Sequence, residues 1–277
     1  MMEEYIFLFA LAFVWIIFAI VQDFRTREVS NWLNFSLIAF VLAYRAFYAV
    51  IHKEFGFFIL GVFGVLLFVG LAYALYYGRA FAGGDAKLLM GLGGILPYQG
   101  VFDVFYYGIA FVFILFLAGA IYSLIYTIYL AWKNWKPFSA EFKERFVFSK
   151  NYVIVCLVLA ILLQAAIYNF DFPDFFGLLS LMIAILPVLY IYTKAVEAGC
   201  LVVWKTPGEL QEGDWLEREV IVSGKKIKKS VHGLSKREIE FLKKHKTKVL
   251  IKEGIPFTPA FLIALLVGVW IWMKFFS

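Results

Sequence analysis

The sequence predicts an all-α polytopic membrane protein, a bundle of about eight membrane segments, one of them short, with a small cytoplasmic α+β region. Three observations predict it. Hydrophobic residues make up 63% of the chain and the mean hydropathy is +0.84, where a soluble domain carries roughly 45–50% apolar residues. The excess is gathered into runs that suit membrane helices of about 20 residues. Basic residues collect in alternate connections between those runs, the pattern that orients membrane proteins.

Taken in order, candidate spans fall at 4–22, 32–51, 56–77, 87–97, 103–131, 152–168, 175–194 and 257–276. The run Tyr5 to Val21 follows Met1-Met2-Glu3-Glu4, an acidic flank, and no small-x-small cleavage site comes after it. It therefore reads as a retained helix rather than a signal peptide. The fourth run is too short to cross a bilayer alone, contains Gly91, Gly93 and Gly94, and ends at Pro97. Such a segment is tolerated only when other helices surround it, so it is expected at the centre of the bundle.

Arg25 and Arg27 follow the first span, Arg79 and Lys87 flank the loop after the third, and Lys133, Lys136, Lys143, Arg145 and Lys150 follow the fifth. Lys194 to Lys252 is densely basic, whereas the opposite connections hold Lys53, the acidic Asp171 and Asp174, and little else that is basic. The basic side is expected to be cytoplasmic, with both termini outside. The net charge of +6 follows from this bias and from contact with membrane lipid, and it gives no reason to expect nucleic acid.

The expected divisions are a membrane core 1–131, a basic cytoplasmic loop 132–151, a helix pair 152–194, a soluble cytoplasmic region 195–254 and a last helix 255–277. Within the soluble region, Thr206-Pro207-Gly208 and Glu212-Gly213-Asp214 read as turns, and Glu219–Val222 and Val249–Ile251 as strands. Ser235-Lys236-Arg237-Glu238 has the form of a capping box opening a helix to about His245.

Few residues carry chemistry. Cys156 and Cys200 form no C-x-x-C pair, and His52, His232 and His245 lack ligand spacing, so neither a metal nor any cofactor is expected. There is no G-x-S-x-G and no P-loop. What stands out is a pair of aspartates at span boundaries. Asp23 closes the first run, and Asp85, in Gly83-Gly84-Asp85-Ala86-Lys87, lies between the third and fourth. Carboxylates beside a membrane are costly and mark functional sites. Their bland role is to stop or cap helices. Brought close, two carboxyls share one proton, so one can deprotonate water while the other protonates a scissile carbonyl. Asp103, Asp171 and Asp174 fall on the opposite side, and Asp214 lies in a solvated turn.

At these residues the chain resembles the aspartic prepilin and preflagellin peptidases, of the archaeal kind. Asp23-x-Arg25-x-Arg27-Glu28-Val29-x-Asn31 is similar to the segment of the family's first catalytic aspartate, and Gly84-Asp85-x-Lys87 to that of the second. Lys252-Glu253-Gly254-Ile255-Pro256-Phe257-Thr258-Pro259-Ala260-Phe261 resembles the stretch before the family's last helix. The resemblance implies catalytic Asp23 and Asp85, with Gly83, Gly84 and Lys87 supporting the motif. It further implies cleavage of the basic leader (class III signal peptide) of pilin-like or archaellin-like precursors at the cytoplasmic face. The family's Gly-x-Gly-Asp is Ala82-Gly83-Gly84-Asp85 here. The cysteine-rich insertion that accompanies N-methylation in bacterial members has no counterpart, so the resemblance implies no methylation. Two other readings remain at this point. One is a presenilin-type intramembrane protease, of whose Pro-Ala-Leu motif Pro259-Ala260-Phe261 is a partial echo. The other is a transporter or assembly scaffold whose aspartates only cap helices. Gly78 and Gly83-Gly84 further suggest a mobile loop that closes on Asp23 when substrate binds.

Overall fold

The computed structural model describes residues 3–78, 80–170, 173, 175–230 and 233–276. Arg79, Asp171, Asp174 and His232 lie outside the described residues. The chain runs α1 (Glu3–Thr26), α2 (Asn31–His52), α3 (Phe55–Tyr77), α4 (Gly83–Leu92), α5 (Val101–Lys133), α6 (Trp135–Phe170) and α7 (Phe175–Cys200). It continues through β1 (Val202–Lys205), β2 (Trp215–Leu216), β3 (Val220–Val222), β4 (Lys225–Ile227), α8 (Lys236–Lys244), β5 (Val249–Lys252) and α9 (Thr258–Phe276). Among the described residues six helices, α1–α3 and α5–α7, are long and apolar enough to cross a membrane, and α9 is a shorter apolar helix. This is a multi-pass membrane protein. Two compact units form, Met1–Ile125 with Ile255–Ser277, and Tyr126–Gly254.

In the first unit, α1 turns one stripe inward. Leu8, Ala12, Ile16 and Ala19 are fully buried at helical spacing, and α1 packs on α2 and α9. Ala260, Phe261 and Ala264 of α9 belong to the same core, so the last helix joins the first unit instead of standing apart. Ile6, Phe13, Ile17 and Phe18 point outward, as a lipid-facing surface does.

Helix α4 is buried between α2 and α3, the central position expected of the fourth segment. Its 10 residues rise only about 15 Å. Small residues allow the close approach. A Cβ on Gly93 would meet the Phe68 ring at 2.5 Å, and one on Gly94 would meet Val41 at 2.7 Å. Beyond α4 the backbone is irregular, and its carbonyls need donors because hydrocarbon supplies none. Arg45 of α2, fully buried, supplies two to this stretch and a third to α3. Its Nε donates to Gly94 O at 2.6 Å, Nη1 to Phe57 O at 2.7 Å and Nη2 to Leu96 O at 2.8 Å. The Tyr98 hydroxyl donates to Gly93 O at 2.7 Å and that of Tyr5 to Tyr98 O at 2.8 Å. The guanidinium also lies 4.4 Å from the Phe57 ring centre.

In the second unit, the stretch 132–151, expected as a loop, is helical instead. After Asn134, α6 runs unbroken from Trp135. The charges that exclude it from a membrane are also good helix formers. Glu141 and Arg145 pair at 3.0 Å across i, i+4, and Phe138, Phe142 and Phe146 follow one another at ring distances of 5.8 and 6.1 Å. Phe138 is buried with Ala131, Ala195 and Val196. The soluble part holds two sheets, β1-β5-β2 and β3-β4, all antiparallel. Val249 and Ile251 face a small core with Leu216, Ile239 and Leu242. Ser235 and Glu238 form the expected capping box at the start of α8. The two expected strands are present as β3 and β5. Sequence alone missed β1, β2 and β4.

Candidate active site

Asp23 sits in the last turn of α1 and is 7% exposed. The helix ends because Arg27 adopts a left-handed φ of 56°, its N–H donating to Asp23 O at 2.9 Å. The chain then folds back. Gln22 Oε1 accepts from both the N–H and the hydroxyl of Ser30, each at 2.9 Å. This tether fixes residues 27–30 against the end of α1 and delivers Val29, Asn31 and Asn34 to the start of α4.

The start of α4 rests on those residues. A Cβ on Gly84 would lie 3.2 Å from Val29 N and 3.3 Å from Val29 Cβ, whereas one on Gly83 would meet only Tyr76, at 3.6 Å. Fully buried Asn34 reaches the Gly84 carbonyl, Nδ2 to O 3.4 Å. Lys87 Nζ donates to Asn31 Oδ1 at 2.6 Å. Ahead of the helix, buried Phe81 sits among Phe116, Phe257 and Phe261 at ring distances of 5.8, 5.4 and 5.9 Å. The segment expected to be loose is thus pinned on both sides of its glycine pair.

Ala82 caps α4 with φ −71° and ψ 161°, ordinary extended backbone that any residue adopts. Alanine at the first position of the Gly-x-Gly-Asp pattern therefore meets no backbone obstacle. Asp85, third in the helix, bonds back to the Ala82 backbone, the acidic half of a capping box. Asp85 is half-buried and lies outside the six spans. Burial, and then the charge of Asp23, push its carboxyl up to about 7, against the opposing hydrogen bond from Ala82. The two boundary aspartates are thus near enough for one to act on the other's ionisation.

Asp23 has a second anchor that sequence reasoning missed. Thr258, fully buried at the first position of α9, donates to Asp23 Oδ2 through its backbone N–H at 3.2 Å and its hydroxyl at 2.8 Å. The other aspartates serve elsewhere. Asp103 Oδ2 accepts from the N–H groups of Gln99 and Gly100 at 3.0 and 2.9 Å and caps α5. Asp214 accepts from Gln211 N at 2.9 Å and pairs with Lys205 at 3.4 Å. Among the described residues no three His, Cys, Asp or Glu side chains gather as metal ligands.

The sequence model of the type IV leader peptidase family matches residues 10–124. Over that stretch the chain is similar to the type IV leader peptidase family. The matched stretch carries Asp23, Asp85, Gly83, Gly84 and Lys87, and ends before the α9 residues that touch Asp23. No curated protein and no solved structure matches the chain. The match points to a peptidase that acts on precursor proteins.

Proposed function

We propose that this chain is an aspartic endopeptidase of the archaeal kind that cuts the basic leader from pilin-like or archaellin-like precursors at the cytoplasmic face. Asp23 and Asp85 supply the chemistry, one as base toward water and one as acid toward the scissile carbonyl, with no metal and no covalent intermediate. The observation that carries the reading is the approach of these two carboxyls. They are 62 positions apart in sequence, yet the charge of one raises the other. Helix-capping residues of a transporter or scaffold have no reason to converge in this way. The two aspartates offer a basic leader an acidic site. The placement at the cytoplasmic face rests on the basic connections, since Arg25, Arg27 and Lys87 all lie near the pair in sequence.

The test is co-expression with a candidate precursor, read as a mobility shift on a gel. A faster-migrating product whose new N-terminus begins at the apolar helix supports the reading. An uncut precursor, across substrates of both classes, refutes it.

A further inference from the structure

We infer that Thr258 is a positioning residue for Asp23, and that its two donors make Asp23 the carboxylate that activates water and Asp85 the acid that protonates the scissile carbonyl. The inference rests on the peptidase reading and deepens it.

The argument starts from one oxygen. A backbone N–H can only donate, so the 3.2 Å contact from Thr258 N makes Asp23 Oδ2 an acceptor. The Thr258 hydroxyl addresses the same oxygen at 2.8 Å. An oxygen whose two lone pairs already hold two donors has no room for a proton of its own. Because Thr258 opens α9, its N–H has no partner within the helix, and the helix start is positive in character. Thr258 is fully buried, so water cannot replace it. Asp23 Oδ1 is then the oxygen left to take up a proton.

Asp85 is placed differently. Its hydrogen bond comes from the Ala82 backbone within its own helix. Beside an anionic Asp23, it is the group that retains the shared proton.

The steps balance. A water gives one proton to Asp23 Oδ1 and its oxygen bonds to the scissile carbonyl carbon, while Asp85 gives its proton to the carbonyl oxygen. In the collapse, Asp85 takes a proton back from one hydroxyl of the tetrahedral intermediate. The C–N bond breaks as Asp23 gives its proton to the leaving nitrogen, and both carboxyls return to their starting states with no further reactant.

The test compares Thr258→Ser with Thr258→Ala in the full chain, reconstituted in lipid vesicles with a purified leader-bearing precursor. The two variants lose the same methyl group and differ only in the hydroxyl. Thr258→Val, which keeps the shape, is the third member. We expect Ser to hold kcat within about threefold of wild type, and Ala and Val to lower it about 10- to 100-fold with KM little changed. Equal losses in Ser and Ala, tracking a lower melting temperature, would mean that Thr258 only fills space. Unchanged kcat in Ala would also overturn the inference while leaving the peptidase reading intact. A wild type that cuts no precursor defeats both.

Discussion

At the scale of single residues, the proposed chemistry rests on Asp23 and Asp85, and their environments set separate expectations. Asp→Asn at either position keeps the shape and removes the acid–base function. Each variant should lose at least about a thousandfold in precursor cleavage, whereas Asp103→Asn, which loses only a cap on α5, should cut at close to the wild-type rate. A gel assay on the three variants decides the matter, and near-normal cleavage by either catalytic variant ends the dyad mechanism. The raised carboxyl of Asp85 gives a pH expectation. As an acid it must be protonated, so kcat should fall about tenfold per unit above pH ~7. The stability counterpart has the same sign. Asp85 binds its proton more tightly folded than unfolded, so its contribution is full below 3.8 and is lost as pH rises to about 7. Thermal unfolding of wild type between pH 4 and 8 should show this loss, and Asp85→Asn should flatten it. Both aspartates were legible in the sequence because charge is rare at the ends of apolar runs. Thr258 was not, because a threonine opening an apolar helix is common and its partner lies 235 residues away. Arg45 did leave a signal, an arginine inside the second apolar run. Its carbonyl partners did not, since two of them, on Gly94 and Leu96, come from irregular backbone that periodicity does not describe.

Among the elements, α4 decides the geometry of the site. Its two leading glycines are not equivalent. Gly84 abuts the backbone of Val29, and Gly83 faces only the edge of Tyr76. Gly84→Ala must push the α4 start away from residues 29–34 and should lower kcat about tenfold or more. Gly83→Ala should cost less than about threefold, so a ranking in the opposite order would show that contact with Val29 does not set the site. The pinning of Phe81 and Gly84 also sharpens the question of closure. Cysteines flanking Asp85 and near the end of α1, in a background free of Cys156 and Cys200, should cross-link more fully with precursor present if the site closes on substrate. Equal and complete cross-linking in both states means a preformed site. The burial of α4 could be anticipated because 10 glycine-rich residues cannot span a bilayer. The helical nature of 135–150 could not, because a charged stretch between apolar runs looks the same as loop or helix until Glu141–Arg145 and the phenylalanine row are placed.

For the whole molecule, the basic connections predict one sidedness, testable by labelling. Cysteines introduced at Glu28 and Lys150 should react with a membrane-impermeant maleimide only in inverted vesicles, and one at Lys53 only in right-side-out vesicles. Labelling of Glu28 from outside would move the proposed site to the other face. A different consequence follows from the order in which the chain is made. Asp23 leaves the ribosome 235 residues ahead of Thr258, with the whole of Tyr126–Gly254 translated in between. Until α9 inserts, Asp23 lacks both of its α9 donors, and Phe81 lacks Phe257 and Phe261. The proposed peptidase activity is therefore expected to stay silent until α9 has been made and inserted. A nascent chain arrested before residue 258 would already carry both aspartates and should cut nothing. Release of the arrest should restore cleavage without further synthesis of the first unit.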